Sequence, residues 1–342
     1  MVQLPSLPVP ASAKAPTAAA LDADPEFAPH MADSYPTFDT LWSLGLDDFK
    51  AAWVSAPVTL RPEVPTLDEI DVRVERAPVG GDGTSTTEVE IQIYSPKDAG
   101  QEVLPLMFVM HGGGWVIGNH SIEESMTRSV CVKNRVRVIS VDYRMAPEFK
   151  FPYAVNDSWD VLIWCRKNAD KLKIDPNRII VAGGSAGGNL AAVMAQRARD
   201  EGLQGVIGQV LNIPVTCHPE LFPKDKYKYT SFQENWNAPI IDGPKMTWFW
   251  NQYVPDVTVD ARHSPLLAKS LEGLPPALVQ VAGMDPLRDE GLAYAEAMKN
   301  AGVNVTLKTY PGVPHGFAFY PQLSKTVAYT DNIVDWVASR LS

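Results

Sequence analysis

The spacing of apolar residues changes character twice along the chain. Residues 1 to about 36 are rich in Pro and Ala without any period, which predicts a flexible arm or an extended strap, with ordered structure beginning after it. Phe38, Leu41, Trp42, Phe49 and Trp53 then recur at helical spacing, predicting one amphipathic helix that ends before the Pro-rich stretch 57–65. Such a helix either packs on the core or forms part of a lid. Ile70, Val72 and Val74 alternate with polar residues, as do Val89, Ile91 and Ile93, and the turn-rich GGDGTST joins the two runs into an antiparallel hairpin.

Beyond residue 100 the apolar runs become short and nearly continuous, at 104–110, 136–142, 178–182, 206–213 and 277–282. Strands buried on both faces of a parallel sheet read this way. Helical stretches at 121–134, 153–169 and 186–200 separate them, so the body is a doubly wound sheet that an antiparallel start makes mixed. Between Asn212 and about Arg262 the alternation stops, and a stretch carrying Trp236, Trp248 and Trp250 intervenes. It is either an insertion that covers a site together with the N-terminal segment or a surface excursion packing its own aromatics. No internal repeat is visible.

Composition narrows the function. A hydrophobic share of 45% with 20% charged residues suits a soluble globular chain with a sizeable core. Forty acidic against thirty basic residues give a net charge of -10, and no basic run occurs, which argues against nucleic acid or anionic membrane as partners. Cys131, Cys165 and Cys217 are odd in number, scattered and without CxxC spacing, which suits a reduced interior. The first residues lack the basic start and apolar core of a secretory signal, and no apolar stretch reaches membrane-spanning length, so a cytoplasmic location is expected. In that setting the N-x-S/T triplets at Asn156 and Asn304 carry no meaning, and the terminal SRLS is not a peroxisomal address.

The sharpest chemical signal is Gly183-Gly184-Ser185-Ala186-Gly187, a G-x-S-x-G between the apolar RIIVA and the helix-forming AGGNLAAVMAQRARD. A nucleophile on a tight strand-to-helix turn needs this context, with glycines flanking it because side chains there would collide. The helix N-terminus also aims N–H groups at a developing oxyanion. Dinucleotide binding would require glycine at position 185 and a P-loop lysine at 189, where Ser and Asn stand. The second signal, His111-Gly112-Gly113-Gly114-Trp115, follows the apolar LPLMFVM. Its consecutive glycines can turn backbone N–H groups toward a ligand oxygen, and Gly113, Gly114 and Ala186 are the expected donors. No H-E-x-x-H or Cys/His cluster suggests a metal, and no cofactor is expected.

In order, HGGGW at 111, DYRMAPE at 142, GGSAGGN at 183, SPLLA at 264, GMDPLRDEG at 283 and PHGF at 314 resemble the hormone-sensitive-lipase-like family of α/β-hydrolase carboxylesterases, from His111 to the end of the chain. The resemblance implies the α/β-hydrolase fold, a mostly parallel eight-stranded sheet with helices on both faces and a helical cap. It implies Asp285 as the acid of a triad and His315 as its base. Both follow apolar runs, as groups at the carboxyl ends of sheet strands should. Asp289 is the rival acid, read here instead as the cap of a helix beginning at Glu290. Among the other histidines, His30 lies in the arm, His111 belongs to the glycine loop, and His120, His218 and His263 follow no comparable strand. Asp142, Tyr143, Arg144 and Glu148 are expected to be scaffolding. The commonest elbow of the family reads GDSAGG, whereas Gly184 stands here in place of the Asp, which leaves the contacts around the elbow open.

The implied organisation is an arm and cap segment over 1–60 and a catalytic domain over 61–342, with a cap-like insertion at about 213–262. The implied reaction is hydrolysis of esters with small to medium apolar acyl groups through an acyl-enzyme on Ser185. Trp115 and Trp248 are the expected substrate-pocket residues. A natural-product deacetylase, a lactonase or an acyltransferase would use the same machinery. A non-catalytic receptor, a role for which family members lost the triad histidine, is the rival from another class. The expected partner is a small ester, with no stable membrane insertion and a homodimer as a possible assembly.

Overall fold

The computed structural model describes residues 2–15, 22–56, 58–80 and 87–342. Eight strands form one sheet: β1 (Ile70–Pro78), β2 (Glu88–Pro96), β3 (Leu104–Met110), β4 (Arg137–Asp142), β5 (Ile174–Gly184), β6 (Val206–Asn212), β7 (Ala277–Met284) and β8 (Val305–Pro314). Their order is β1-β2-β4-β3-β5-β6-β7-β8, and only β2 runs against its neighbours. The hairpin pairing of β1 with β2 is as expected, while most of the turn GGDGTST lies outside the described residues.

Side chains alternate across the sheet, so each central strand feeds two cores. Leu106, Phe108 and Met110 face one side, packed by α4 (Tyr153–Lys167), α5 (Ala186–Asp200) and α7 (Arg288–Asn300). Met107 and Val109 face the other, packed by α3 (Glu124–Lys133) and α8 (Ser324–Leu341). Burial on both faces is why these strands read as continuous apolar runs. One polar row crosses the sheet inside: Tyr310 of β8 donates to Gln280 of β7, which donates to Asn212 of β6 at 2.9 Å. Buried amides must be bonded, and here the bonds tie together the strands that carry the site.

Ahead of the sheet the sequence reading needs correction. The stretch expected as one helix is two, α1 (Met31–Trp42) and α2 (Leu46–Ser55), separated at Ser43–Gly45. Gly45 at the extended N-cap of α2 breaks a run whose apolar spacing alone is continuous. Order also starts earlier than expected. Val2 donates its N–H to Leu44, Lys14 to Glu234, and Asp24 to Gly312 at 2.8 Å. Asp24 further holds Lys325, Glu26 accepts from the Ser324 N–H at 2.6 Å, and Phe27 is fully buried. The described part of the arm is a strap.

Residues 213–262 contain one regular helix of more than a turn, α6 (Gly243–Tyr253), which lies against α1 and α2. Trp42 packs on Phe49 at 4.8 Å, Trp248 at 5.2 Å and Phe249 at 5.3 Å between ring centroids. The buried Lys245 ammonium adds ion pairs to Asp39 at 3.1 Å and Asp242 at 3.2 Å. The aromatics of this stretch therefore pack against the N-terminal helices as well as among themselves. Trp42→Ala should cost about 3–5 kcal/mol of stability in guanidinium unfolding. A change below about 1 kcal/mol would mean that these helices are not packed together in solution.

Candidate active site

Ser185 sits between β5 and α5 with φ 55 and ψ -117, backbone angles a serine adopts only when its surroundings enforce them. Three hydrogen bonds do so. Ser185 N–H donates to the Asn212 carbonyl at 2.8 Å, and its own carbonyl accepts from Asn189 at 3.0 Å and Val215 at 3.2 Å. The turn is also too tight for side chains: a Cβ on Gly183 or Gly187 would overlap the Met110 carbonyl at the end of β3. The elbow therefore rests directly on the strand that leads into the glycine loop.

The acid and base arrive from the two strands beyond β6. Asp285 follows β7, is almost wholly buried, and accepts the Leu287 N–H on Oδ1 at 2.8 Å. His315 follows β8, with Nδ1 2.7 Å from Asp285 Oδ2 and Nε2 2.9 Å from Ser185 Oγ. An ionised carboxylate can only accept, so Nδ1 carries the proton and the Nε2 lone pair faces the serine hydroxyl. Asn235, from the 213–262 stretch, donates to the Asp285 carbonyl at 3.1 Å and fixes the acid loop from above. Nothing in the sequence pattern marks Asn235, because its role depends on which loop the stretch falls across.

Asp289 does not cap the helix after it. The helix α7 begins at Arg288, and the Asp289 carboxylate instead accepts the N–H groups of Thr230 at 2.7 Å and Ser231 at 2.8 Å while pairing with Arg288 at 2.8 Å. Glu290 is fully buried and accepts the Thr216 N–H at 2.7 Å, with burial pushing its carboxyl well above the usual range. The acid loop and the first turn of α7 thus put three carboxylates to use: one on His315, one on the 230–231 turn and one on the segment after β6.

His111–Trp115 leaves β3 as a compact turn in which the Gly113 carbonyl accepts from Val116 at 3.1 Å and Ile117 at 3.0 Å. Gly113 and Gly114 have φ of 112 and 58, which leaves their own N–H groups without a protein acceptor among the described residues. Ala186 is the first residue of α5, where an N–H has no intrahelical partner. Beneath the loop, His111 stacks on Tyr143 at 4.3 Å, the Tyr143 hydroxyl donates to the His111 carbonyl at 2.8 Å, and Arg144 forks onto the buried Asp157 at 2.6 and 2.9 Å. Glu148 pairs with Lys50 at 2.6 Å. Phe249 lies against Gly114 from above, leaving no room for a Cβ there.

The two tryptophans expected in the pocket are packing residues here. Trp115 has no exposed surface and stacks on Tyr253 at 4.3 Å, and Trp248 is wedged between Trp42 and Phe49. His120, His218 and His263 are all buried and bonded within the scaffold. Among the described residues no group of three His, Cys, Asp or Glu side chains is placed to hold a metal.

Comparison with known proteins points one way. Residues 107–319 match the family described as the alpha/beta hydrolase fold. The chain is 38% identical over 309 residues to carboxylesterase NlhH of Mycobacterium tuberculosis, covering 88% of this chain and 91% of that protein. Its structure is similar to EstE1, a thermophilic carboxylesterase cloned from a metagenomic library, at 34% identity and a TM-score of 0.73, over 91% of this chain and 96% of that one. It is also similar to vibralactone cyclase, at 30% identity and a TM-score of 0.82, over 99% of each chain.

The Asp289 contacts yield a pH test. Burial would raise its carboxyl, but Arg288 and the Thr230 and Ser231 N–H groups outweigh it and hold the group below its ordinary value of 3.8. A depressed folded value stabilises above the unfolded one and is lost as pH falls through the folded one. Asp289→Asn should therefore cost about 2 kcal/mol near neutrality, and the gap from wild type should close only below the ordinary value of 3.8. Urea midpoints across that range measure it; a gap that is absent near neutrality would refute the role.

Proposed function

The chain belongs to the hormone-sensitive-lipase-like family of α/β-hydrolase carboxylesterases and is a carboxylic ester hydrolase, and from that premise we propose that Ser185, His315 and Asp285 carry the reaction through an acyl-enzyme. The supporting observation is the hydrogen-bonded row from Asp285 through His315 to Ser185 Oγ, at 2.7 and 2.9 Å. His315 Nε2 takes the serine proton as Oγ attacks the ester carbonyl carbon. The carbonyl oxygen becomes an oxyanion that the Gly113, Gly114 and Ala186 N–H groups receive, and Asp285 stabilises the imidazolium. Collapse breaks the bond to the alcohol, which leaves with the proton from His315. Water, deprotonated by the same nitrogen, then attacks the acyl-enzyme and releases the acid.

The substrate is an ester with a small to medium apolar acyl group. The aromatic roof over the glycine loop, with Phe249 against Gly114 and Trp42 behind it, supports an apolar enclosure. Residues 1–60 are its arm and cap segment, joined by the insertion at about 213–262, and residues 61–342 outside that insertion are the catalytic domain. Unpaired, buried Cys131, Cys165 and Cys217 support a reducing, cytoplasmic setting, and among the described residues no helix is long and apolar enough to cross a membrane.

A second reading, capture of the acyl-enzyme by a hydroxyl group instead of water, is favoured by one observation. The likeness to vibralactone cyclase runs over 99% of both chains, arm and roof included. Hydrolysis of p-nitrophenyl esters from acetate to long-chain acyl groups should peak at short or medium chains. Ser185→Ala should lower kcat by on the order of 10⁴-fold or more, and Asp285→Asn by about 10⁴-fold. Full turnover by Ser185→Ala would refute the assignment, and a faster acyl transfer to an added alcohol than to water would favour the second reading.

A further inference from the structure

The residue at position 184 is the one place where the elbow departs from the commonest family pattern, and the structure fills that place from elsewhere. Glu123 ends the short 3-10 turn His120–Glu123 that follows the glycine loop. Its side chain is buried, and its Oε1 accepts the Gly184 N–H at 3.1 Å. The Gly112 N–H also favours the charged form of this carboxyl. A Cβ on Gly184 would lie 2.7 Å from Glu123 Oε1, so the carboxylate occupies the space in which a side chain at 184 would begin.

The Gly184 N–H that it receives and the Gly112 N–H that favours its charge flank the proposed chemistry. Gly184 directly precedes Ser185, and Gly112 directly precedes the donor Gly113. The two backbones already touch, since a Cβ on Gly112 would lie 3.0 Å from the Gly184 carbonyl and 3.6 Å from Ser185 Cβ. A buried carboxylate is costly, and burial pushes this one up to about 7 against the opposing pull of Gly184, His111 and Gly112. An apolar residue would avoid that cost but leave the buried Gly184 N–H unpaired at the join.

We propose that Glu123 is a positioning residue: its carboxylate holds Gly184 where that backbone meets Gly112, and so keeps the oxyanion loop in register with the nucleophile. The proposal rests on the serine mechanism above. Glu123 touches no reacting atom and acts through the direction of the Gly113 N–H and the seat of Ser185. Misplacement of such donors by a fraction of an ångström lowers turnover while leaving ground-state binding nearly alone.

The test compares wild type, Glu123→Gln, Glu123→Ala, Gly184→Asp and the double variant Glu123→Ala/Gly184→Asp. Three quantities are read: kcat and KM for a short p-nitrophenyl ester, Ki for a trifluoromethyl ketone whose hemiketal oxyanion needs the same donors, and the unfolding midpoint. Glu123→Ala should lower kcat about 10- to 100-fold with KM little changed, and Ki should rise by a matching factor. Glu123→Gln keeps an acceptor oxygen and should stay within about 3-fold of wild type. Gly184→Asp alone should be impaired by its clash with Glu123, and combining it with Glu123→Ala should recover activity because the new carboxylate then fills the vacated space beside the Gly112 N–H.

Unchanged kcat and Ki in Glu123→Ala would overturn the proposal, as would a kcat loss without a change in Ki, or a Glu123→Gln as impaired as Glu123→Ala. Should Glu123→Ala not fold, Glu123→Gln and the double variant decide: a folded double variant with no activity overturns the proposal. Failure of the underlying mechanism looks different, because wild type would then show no Ser185-dependent turnover in the same assay.

Discussion

Everything at the site follows from holding one serine in backbone angles that an L-residue resists. A free chain would leave that conformation, at a cost of order 1–3 kcal/mol to stay, so the surrounding parts must over-determine it. They do so through backbone contacts. Asn212 at the end of β6, Asn189 within α5 and Val215 beyond β6 bond to Ser185, and the Met110 carbonyl of β3 closes the space around Gly183 and Gly187. Because three strands and a helix converge on that residue, the loops bearing Asp285 and His315 need only follow from β7 and β8 to meet it. The buried row of Tyr310, Gln280 and Asn212 fixes those strand ends relative to one another.

Around this centre carboxylates do the joining. Asp289, Glu290 and Glu123 each accept at least one backbone N–H from a segment distant in sequence. The exception in reach is Asp285, whose amide partner is local while its other oxygen meets His315. Loops cannot satisfy their own N–H groups as helices and strands do, and a carboxylate offers several acceptor sites on a short side chain. The site is assembled from loops, so it concentrates such groups, and the bonds each accepts offset part of the cost of burying it.

Much of this was legible in the residues. The central strands announced themselves by unbroken apolar runs, since burial on both faces leaves no polar positions. The elbow and the glycine loop stood out because local geometry restricts which residues fit there, whereas Asp285 and His315 were implied by the family resemblance. What failed depended on packing between remote segments. The run from Phe38 to Trp53 kept helical spacing across a break that only Gly45 signals. Asp289 stands one residue ahead of an apparent helix start, yet its partners are Thr230 and Ser231. Trp115 looked like a pocket residue until its stack on Tyr253 was placed. Glu123 and Asn235 carried no signal at all, because their partners lie 61 and 50 residues away.

The strap has a consequence for how the chain is made. Glu26 meets Ser324 across 298 residues and Asp24 meets Lys325 across 301. At about 5–20 residues per second, a ribosome exposes Asp24 roughly 15–60 s before its partner exists. Throughout that interval the Phe27 side chain, fully buried in the finished protein, has no seat. The strap is thus among the last segments to be placed, and the nascent chain carries an unseated apolar side chain that chaperones or neighbouring chains meet before helix α8 does.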